Sequence, residues 1–470
     1  MRPHPAGPRH GELQHEGHPT SPPVDCNAMV AHVWPRGAER SPQGDLAIRG
    51  ASVVSLAARH GTPLFVLDEE DFRSRAREYV AAFRGADVFY ASKAFSCTAL
   101  LRWVADEGLG LDVATAGELA VAERAGFPAD RVLFHGNNKS VAELERALPA
   151  GVGRIVVDSL EEIERLAQCA ANAGVRQRVL VRITVGVEAH THEYIATAHE
   201  DQKFGFSLAS GAADAAVARV LSHPSLSLVG IHSHIGSQIF DTSGFEVAAH
   251  RAVEFVARVL ERHGAPVAEL NLGGGLGIAY VDSDDPADVT DIAASLRTIV
   301  DRECRTYGVP VPRLAVEPGR ALVGPGMVTL YEVGTVKPVE LDAGATRRYV
   351  SVDGGMSDNP RTSLYDADFT VVLANRASAV APVLSRIVGK HCESGDIVVR
   401  DAWLPADVQP GDVVAVAATG AYCRSMASTY NLLGRPPVVA VDAAGADRVL
   451  VRRETEDDLL ALDMGVSAHG

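Results

Sequence analysis

Val88-Phe89-Tyr90-Ala91-Ser92-Lys93-Ala94 is the stretch from which the rest of the chain is best read. Its apolar run, Val88 to Ala91, predicts a buried strand, and the strand delivers one lysine at its carboxyl end. A lysine is costly inside a strand because its ammonium loses hydration there. At the strand's mouth it either reaches solvent or does chemistry. In a partly desolvated pocket its pKa falls, and the free amine attacks a carbonyl to form an imine. The segment alone fits a solvated lysine at least as well, so the residues further along decide.

Working outward, strand-like apolar runs recur at 64–67, 88–91, 109–113, 132–134, 155–157, 179–183, 228–232, 270–272 and 314–316. Helical spacing separates most of them. Leu160, Ile163, Leu166 and Ala170 share one face, and 248–260 repeats the pattern. Strands alternating with helices predict parallel βαβ units. With 64–67 set aside as a lead-in, eight runs remain between Val88 and Val316, the count of a TIM-type (β/α)8 barrel. A doubly wound open sheet is the alternative topology.

Beyond Gly326 the rhythm changes. Runs at 328–333, 349–352, 369–373, 397–399, 413–417 and 438–441 have turn residues between them and few helical windows. They predict a C-terminal antiparallel β-domain that also takes an N-terminal strand. Ahead of the barrel, 46–48 is expected as a short strand and 53–60 as a helical turn or two. The expected organisation is a disordered His/Pro-rich tail (1–29), a segment contributing to the β-domain (30–62), the barrel (63–326) and the β-domain (327–470).

The length of 470 residues accommodates two or three domains, and 47% hydrophobic residues supply their cores. Lys and Arg number 44 against 60 Asp and Glu, a net charge of −16, which excludes nucleic acid or an anionic membrane as the main partner. Six scattered cysteines without a CxxC pair match a reducing compartment. No apolar run reaches the roughly 18 residues of a membrane span, and the amino terminus has no secretory h-region. A soluble cytoplasmic protein is expected. Residues 1–25 hold six prolines and four histidines (His4, His10, His15, His18) among few large apolar residues, too little to bury.

Chemistry-bearing residues gather where the strands end, the face on which barrel active sites lie. The first strand delivers Lys93, and the sixth run leads into His232-Ser233-His234-Ile235-Gly236-Ser237-Gln238. The seventh leads into Gly273-Gly274-Gly275-Leu276-Gly277, and the eighth into Glu317-Pro318-Gly319-Arg320. Glycines at such ends let backbone N–H groups close around an anion. After strand seven, with Arg320 after strand eight, they occupy the usual phosphate position of these barrels. A lysine, a phosphate cradle, a histidine and a glutamate together suggest pyridoxal 5'-phosphate. A protonated pyridine ring serves as an electron sink for a carbanion at Cα.

These residues carry a resemblance. From about Val30 to about Arg453 the chain resembles the fold type III pyridoxal-phosphate-dependent decarboxylases, whose barrel is alanine racemase-like. The motifs are Tyr90-Ala91-Ser92-Lys93-Ala94, His234-Ile235-Gly236-Ser237-Gln238, the triglycine and Glu317-Pro318-Gly319-Arg320. Further on come Asp358-Asn359-Pro360-Arg361, Leu364-Tyr365, Gly389-Lys390-His391-Cys392-Glu393-Ser394-Gly395-Asp396 and Gly420-Ala421-Tyr422. All eight stand in the family's order.

The resemblance implies that Lys93 holds the aldehyde, His234 stacks on the ring and Glu317 pairs with the ring nitrogen. Ser237, Gly274, Gly275, Gly319, Arg320 and Tyr422 contact the cofactor, chiefly around its phosphate. Arg320, Arg361, Tyr365 and Tyr422 bind the substrate, with the retained carboxylate on Arg320, Arg361 and Tyr365. Cys392 donates the proton and Glu393 reads the distal amino group. It further implies meso-diaminopimelate as substrate, L-lysine and CO2 as products, and a homodimer in which Cys392 and Glu393 serve the partner's site. The physics agrees. A guanidinium fork suits a carboxylate, and a thiol offers a labile proton to a carbanion. Cys423, beside Tyr422, is the competing thiol.

Other readings fit the residues less well; a non-enzymatic pyridoxal-phosphate carrier, for one, would resemble the barrel alone, without the β-domain that brings Cys392. His190-Thr191-His192, His199 and His232-Ser233-His234 offer HxH pairs, as metal-dependent barrel hydrolases use. That reading leaves Lys93 and Arg320 beside a cation with no task. Racemases of this fold place an arginine against the ring nitrogen, where this chain has Glu317. Ornithine-type decarboxylases have a Cys-Asp pair, where this chain has Cys392-Glu393.

Overall fold

The computed structural model describes residues 21–186, 203–340 and 346–465. The chain folds into two compact units. One is Arg73–Ile278 with Asp285–Leu322; the other takes the chain up to Phe72, Ala279–Asp284 and the chain from Val323 onward.

In the first unit eight parallel strands close on themselves: Asp87–Ala91, Gly110–Val113, Val132–Phe134, Arg154–Val157, Gln177–Thr184, Leu226–His232, Glu269–Asn271 and Arg313–Val316. The eighth pairs with the first, Val316 opposite Val88, which excludes the open sheet. All eight strands lie on runs expected from the sequence. Phe89, Leu133, Val156, Leu180 and Ala315 pack together inside, with Val229 against them. Six strands therefore each contribute a residue to one packed cluster, as expected where side chains rather than a pore occupy a barrel. Gly110 makes room for the Phe89 ring, since a Cβ there would lie 2.4 Å from it.

The intervening helices are set by their ends. Leu160–Ala173 starts at Ser159, whose side chain accepts the Glu162 N–H, and stops at Gly174 in the left-handed region (φ 68°). Ile163, Leu166, Ala167 and Ala170 are buried along it. Leu160, expected on the same stripe, is 42% exposed. Helical side chains lean toward the amino terminus, so a first-turn residue leans off the packed surface.

The second unit is a mixed sheet. Its path runs Ile397–Pro405, Pro382–Val388, Thr346–Val352, Met327–Glu340, Leu64–Asp68, Val438–Val441, Asp447–Val451. Val413–Val416 also pairs with Met327–Glu340, and with Val371–Leu373. Most pairings are antiparallel, but Thr346–Val352 with Pro382–Val388, and Val438–Val441 with Leu64–Asp68, are parallel.

The N-terminal strand of this sheet is Leu64–Asp68, the run set aside as a lead-in and assigned to the expected barrel at 63–326. All five of its residues are buried. A run apolar on both faces suits any doubly covered central strand, and hydrogen bonding to Met327–Glu340 and Val438–Val441 assigns it to this sheet. The segment expected to supply that strand forms its own small antiparallel sheet (Ala38–Arg40, Leu46–Ile48, Ala51–Ser52) and the helix Val53–His60.

The expected tail at 1–29 is drawn too long at its inner end. Asn27 exchanges two 2.9 Å hydrogen bonds with the Ser378 backbone, and Met29 packs against the core of Trp34, Leu46, Leu64, Val328 and Val439. Residues 1–20, with their four histidines, lie outside the described residues. Pro382–Val388 and Asp447–Val451 were not expected as strands. The first is interrupted by two register shifts and a buried Arg386, and the second has no buried residue, so neither shows a clean alternation.

Candidate active site

Within the barrel unit, the carboxyl ends of the strands bring most of the expected residues together. Lys93 lies on the 3-10 turn Ser92–Ala94 that follows the first strand, its side chain 51% exposed and its Nζ 3.8 Å from Asp112 Oδ2. Burial raises the pKa of Asp112, against the opposing pull of His135 and Lys93.

Three loops are knitted together by backbone N–H donors. The Glu317 N–H donates to Gly273 O (2.9 Å), Ile239 N–H to Gly275 O (2.9 Å), and Gly274 N–H to His234 Nδ1 (3.2 Å). Side chains are barred at the triglycine. A Cβ on Gly274 would lie 2.2 Å from Glu317 O, and one on Gly275 would lie 2.3 Å from Gly236 O. Gly273 and Gly275 also have positive φ (73° and 103°). Gly319 packs against the first strand, where a Cβ would lie 2.9 Å from the Ala91 Cβ. Arg320, buried, donates from a terminal guanidinium nitrogen to Ser237 Oγ at 3.0 Å.

Glu317 is buried at the end of the eighth strand, and Oε1 accepts from His135 Nε2 (2.8 Å) and Asn271 Nδ2 (2.8 Å). Oε2 accepts from His232 Nε2 at 3.3 Å. Burial works against the charge, yet the two imidazoles and their hydrogen bonds hold this carboxyl well below the usual range. Burial lowers His232 to about 4 and takes His234 well below its ordinary value, the latter aided by Lys93 and Arg182.

His135 and Asn271 were not singled out from the sequence, although both stand where a strand ends. Both carry the signal shared by the ends of strands one, six, seven and eight: a polar residue where an apolar run stops, here after strand three and as the last residue of strand seven.

In the β-domain unit, Arg361 opens the short helix Arg361–Tyr365. It is buried, with Cζ 4.3 Å from the Tyr280 ring centroid and 5.2 Å from that of Phe369. Tyr365, at the other end, is half-buried. The helix is pinned to the segment carrying Cys392 and Glu393. Thr362 Oγ1 donates to Val398 O (2.8 Å) and Ser363 Oγ to Gly395 O (2.6 Å). A cleft of about 490 Å³ is lined by Met356, Ser363, Leu364, Glu393 and Tyr430 among others.

Cys392 and Glu393 are exposed. The Cys392 N–H donates to Asn431 Oδ1 (3.2 Å), and the preceding His391 N–H to the buried Asp396 (2.8 Å). Cys423, the competing thiol, is buried and donates to Asn359 Oδ1 at 3.3 Å. Tyr422 is half-buried with φ 61°, on a loop held where Thr419 N–H donates to Met327 O (3.0 Å).

The residues fit pyridoxal 5'-phosphate. They supply an amine at the barrel mouth, bare glycine backbone beside a buried arginine and a serine hydroxyl, and an ionised carboxylate. Of the hydrolase reading, His190, His192 and His199 lie outside the described residues. His135, His232 and Glu317 bring ligand atoms within 4.8 Å of one another, but their contacts are hydrogen bonds among themselves.

A closed parallel barrel with this constellation defines the pyridoxal-dependent decarboxylases, and residues 69–324 match the family described as pyridoxal-dependent decarboxylase, pyridoxal binding domain. Within that class the chain belongs to the diaminopimelate decarboxylase family. It is 60% identical to the diaminopimelate decarboxylase of Mycobacterium tuberculosis, over 93% of this chain and 98% of that protein. Identity to the Bacillus subtilis diaminopimelate decarboxylase is 45%, over 90% and 95%. The crystal structure of diaminopimelate decarboxylase from M. jannaschii in complex with L-lysine is similar, with TM-score 0.84, 32% identity, and coverage of 93% of this chain and 99% of that one.

Proposed function

We infer that the protein removes the carboxylate from the D-centre of meso-diaminopimelate, yielding L-lysine and CO2. The observation that carries this reading is the near-complete match, at 60% identity, to a diaminopimelate decarboxylase. Pyridoxal 5'-phosphate, when bound, supplies the sink for the electron pair that CO2 leaves behind.

The chain's residues do the rest. Lys93 would provide the amine that holds the cofactor's aldehyde, and its side chain is half exposed at the barrel mouth. His234 would stack on the ring, and Ser237, Gly274, Gly275, Gly319, Arg320 and Tyr422 would hold the phosphate end. Glu317 would keep a proton on the ring nitrogen, a role that its own low pKa supports.

Arg361 and Tyr365, with Arg320, hold the carboxylate that is retained, and Tyr422 adds to the substrate site. Arg361 is already buried against two rings, so its fork needs little reorganisation to bind. Cys392 Sγ gives its proton to Cα, and Glu393 accepts an N–H from the distal ammonium. We place Cys392 and Glu393 in the partner protomer's site within a two-fold dimer, a reading supported by the exposure of both in the single chain. A cytoplasmic location is the reading that the scattered cysteines support.

Measuring CO2 release from meso-diaminopimelate, ornithine and arginine tests the substrate. Turnover is expected with the first alone, and release from ornithine without diaminopimelate overturns the reading. Mixing Lys93→Ala with Cys392→Ala protein tests the dimer. Random pairing makes half the dimers hybrids with one intact site in two, so activity recovers to roughly a quarter of wild type. No recovery in a mixture shown to contain hybrids sinks the shared site.

A further inference from the structure

The reading of Glu317 as the residue that keeps the ring nitrogen protonated leaves open what keeps Glu317 ionised and oriented, and the inference here rests on that reading. Three strand ends each lend it one N–H: His135 after the third strand, His232 closing the sixth and Asn271 closing the seventh. The two short contacts, both 2.8 Å, fall on Oε1 and use both of its lone pairs. Among the described residues Oε2 accepts only the 3.3 Å contact from His232 and so retains a lone pair.

His232 is neutral at working pH, since burial takes it to about 4. Its Nδ1 has no hydrogen-bond partner among the described residues, which fits the tautomer carrying its proton on Nε2. His135 makes the shorter of the two imidazole contacts to Glu317 and pulls its carboxyl downward. Its Nε2 stands 2.8 Å from Glu317 and 3.8 Å from Asp112 Oδ1, between two buried carboxylates. Its position is set by backbone, because the His135 N–H donates to Val113 O at 2.7 Å, carrying the strand pairing one residue further. The remaining titratable groups here are Lys93, Arg182 on the fifth strand with Asp158 at 3.8 Å, and His234, which burial holds neutral.

We propose that His135 is a positioning residue: with Asn271 it occupies Glu317 Oε1, holds the carboxylate ionised, and leaves Oε2 as the oxygen offered to the ring nitrogen. It touches neither substrate nor cofactor in this role and acts through Glu317.

The test compares wild type with H135L and H135Q. In the cofactor-free proteins, infrared difference spectra against Glu317→Gln report whether Glu317 carries a proton. At mildly acidic pH no carboxylic-acid band is expected in wild type, a clear one in H135L, and a weak one or none in H135Q, whose amide still donates. In the loaded enzymes, the acid limb of kcat/KM moves up by at least about one pH unit in H135L, a tenfold loss at fixed acid pH. H135Q recovers most of that loss. If H135L does not fold, H135N, whose amide is too short to reach Oε1, takes its place with the same expectations. An ionised Glu317 and an unmoved acid limb in the folded variant overturn the proposal. Undiminished activity in Glu317→Gln overturns the reading of Glu317 itself, so the two failures are distinguishable.

Discussion

Two groups of candidate residues are built in opposite ways. In the barrel unit, Glu317 is buried and engaged by three N–H donors from three other strand ends. In the β-domain unit, Cys392 and Glu393 are exposed, and the segment is held through backbone by Asn431 and Asp396. A buried carboxylate is tolerated only when its hydrogen bonds are made within the fold, so stability and chemistry depend on one set of contacts. An exposed thiol places no such demand on its own chain. Its loss is expected to cost chemistry and to leave stability nearly untouched.

The sharpest way to break this comparison is to substitute both. Glu317→Leu is expected to cost about 3–5 kcal/mol of stability, the scale for stripping one partner from a buried charged cluster. Cys392→Ala is expected to lie within about 0.5 kcal/mol of wild type, while its kcat falls by about 10²–10⁴-fold. Denaturant melts and steady-state kinetics on the two proteins decide, and equal destabilisation would erase the distinction.

A second buried carboxylate sharpens it. Burial, with Asp353 and Asp396 adding to it, raises the pKa of Asp358 to about 7, against the opposing hydrogen bonds from the Tyr331 hydroxyl and the Gly355 N–H. A carboxyl raised in the folded state keeps its proton where the unfolded chain has lost it, so stability falls as pH rises from about 4 to about 7. Asp358→Asn removes that slope. Its stability relative to wild type should climb across the window by at most about 4 kcal/mol. A difference that does not change with pH would show that Asp358 ionises normally. Glu317 has the opposite sign: its contribution is present above the ordinary carboxyl range and is lost only as pH falls through its depressed value.

Arg361→Lys keeps the charge and loses the fork, so transition-state stabilisation for diaminopimelate should drop by roughly 2–4 kcal/mol. Unchanged kcat/KM would remove Arg361 from the substrate site. The smallest effect is expected from Asn431→Ala, which frees the Cys392 N–H at a cost of about 0.5–1.5 kcal/mol in transition-state stabilisation. Its melting temperature should hardly move, and a large fall would mean that the Cys392 segment supports the fold after all.

The sequence by itself determined the eight barrel strands, the lysine at the first strand's exit, the glycine-rich turn after the seventh, and Glu317 and Arg320 after the eighth. Those features are local: an apolar run, a helical spacing between runs, and a polar residue where a strand stops are all visible within a few positions. Only the tertiary structure decided that Leu64–Asp68 belongs to the mixed sheet, because a strand covered on both faces reads the same in either setting. Only it revealed that the chain near Asn27 is anchored at Ser378, far away in sequence. And only it joined Glu317 to His135 and Asn271, which stand 182 and 46 residues away along the chain. A hydrogen bond across a closed barrel depends on which strand ends meet in space, and no periodicity along the chain carries that information.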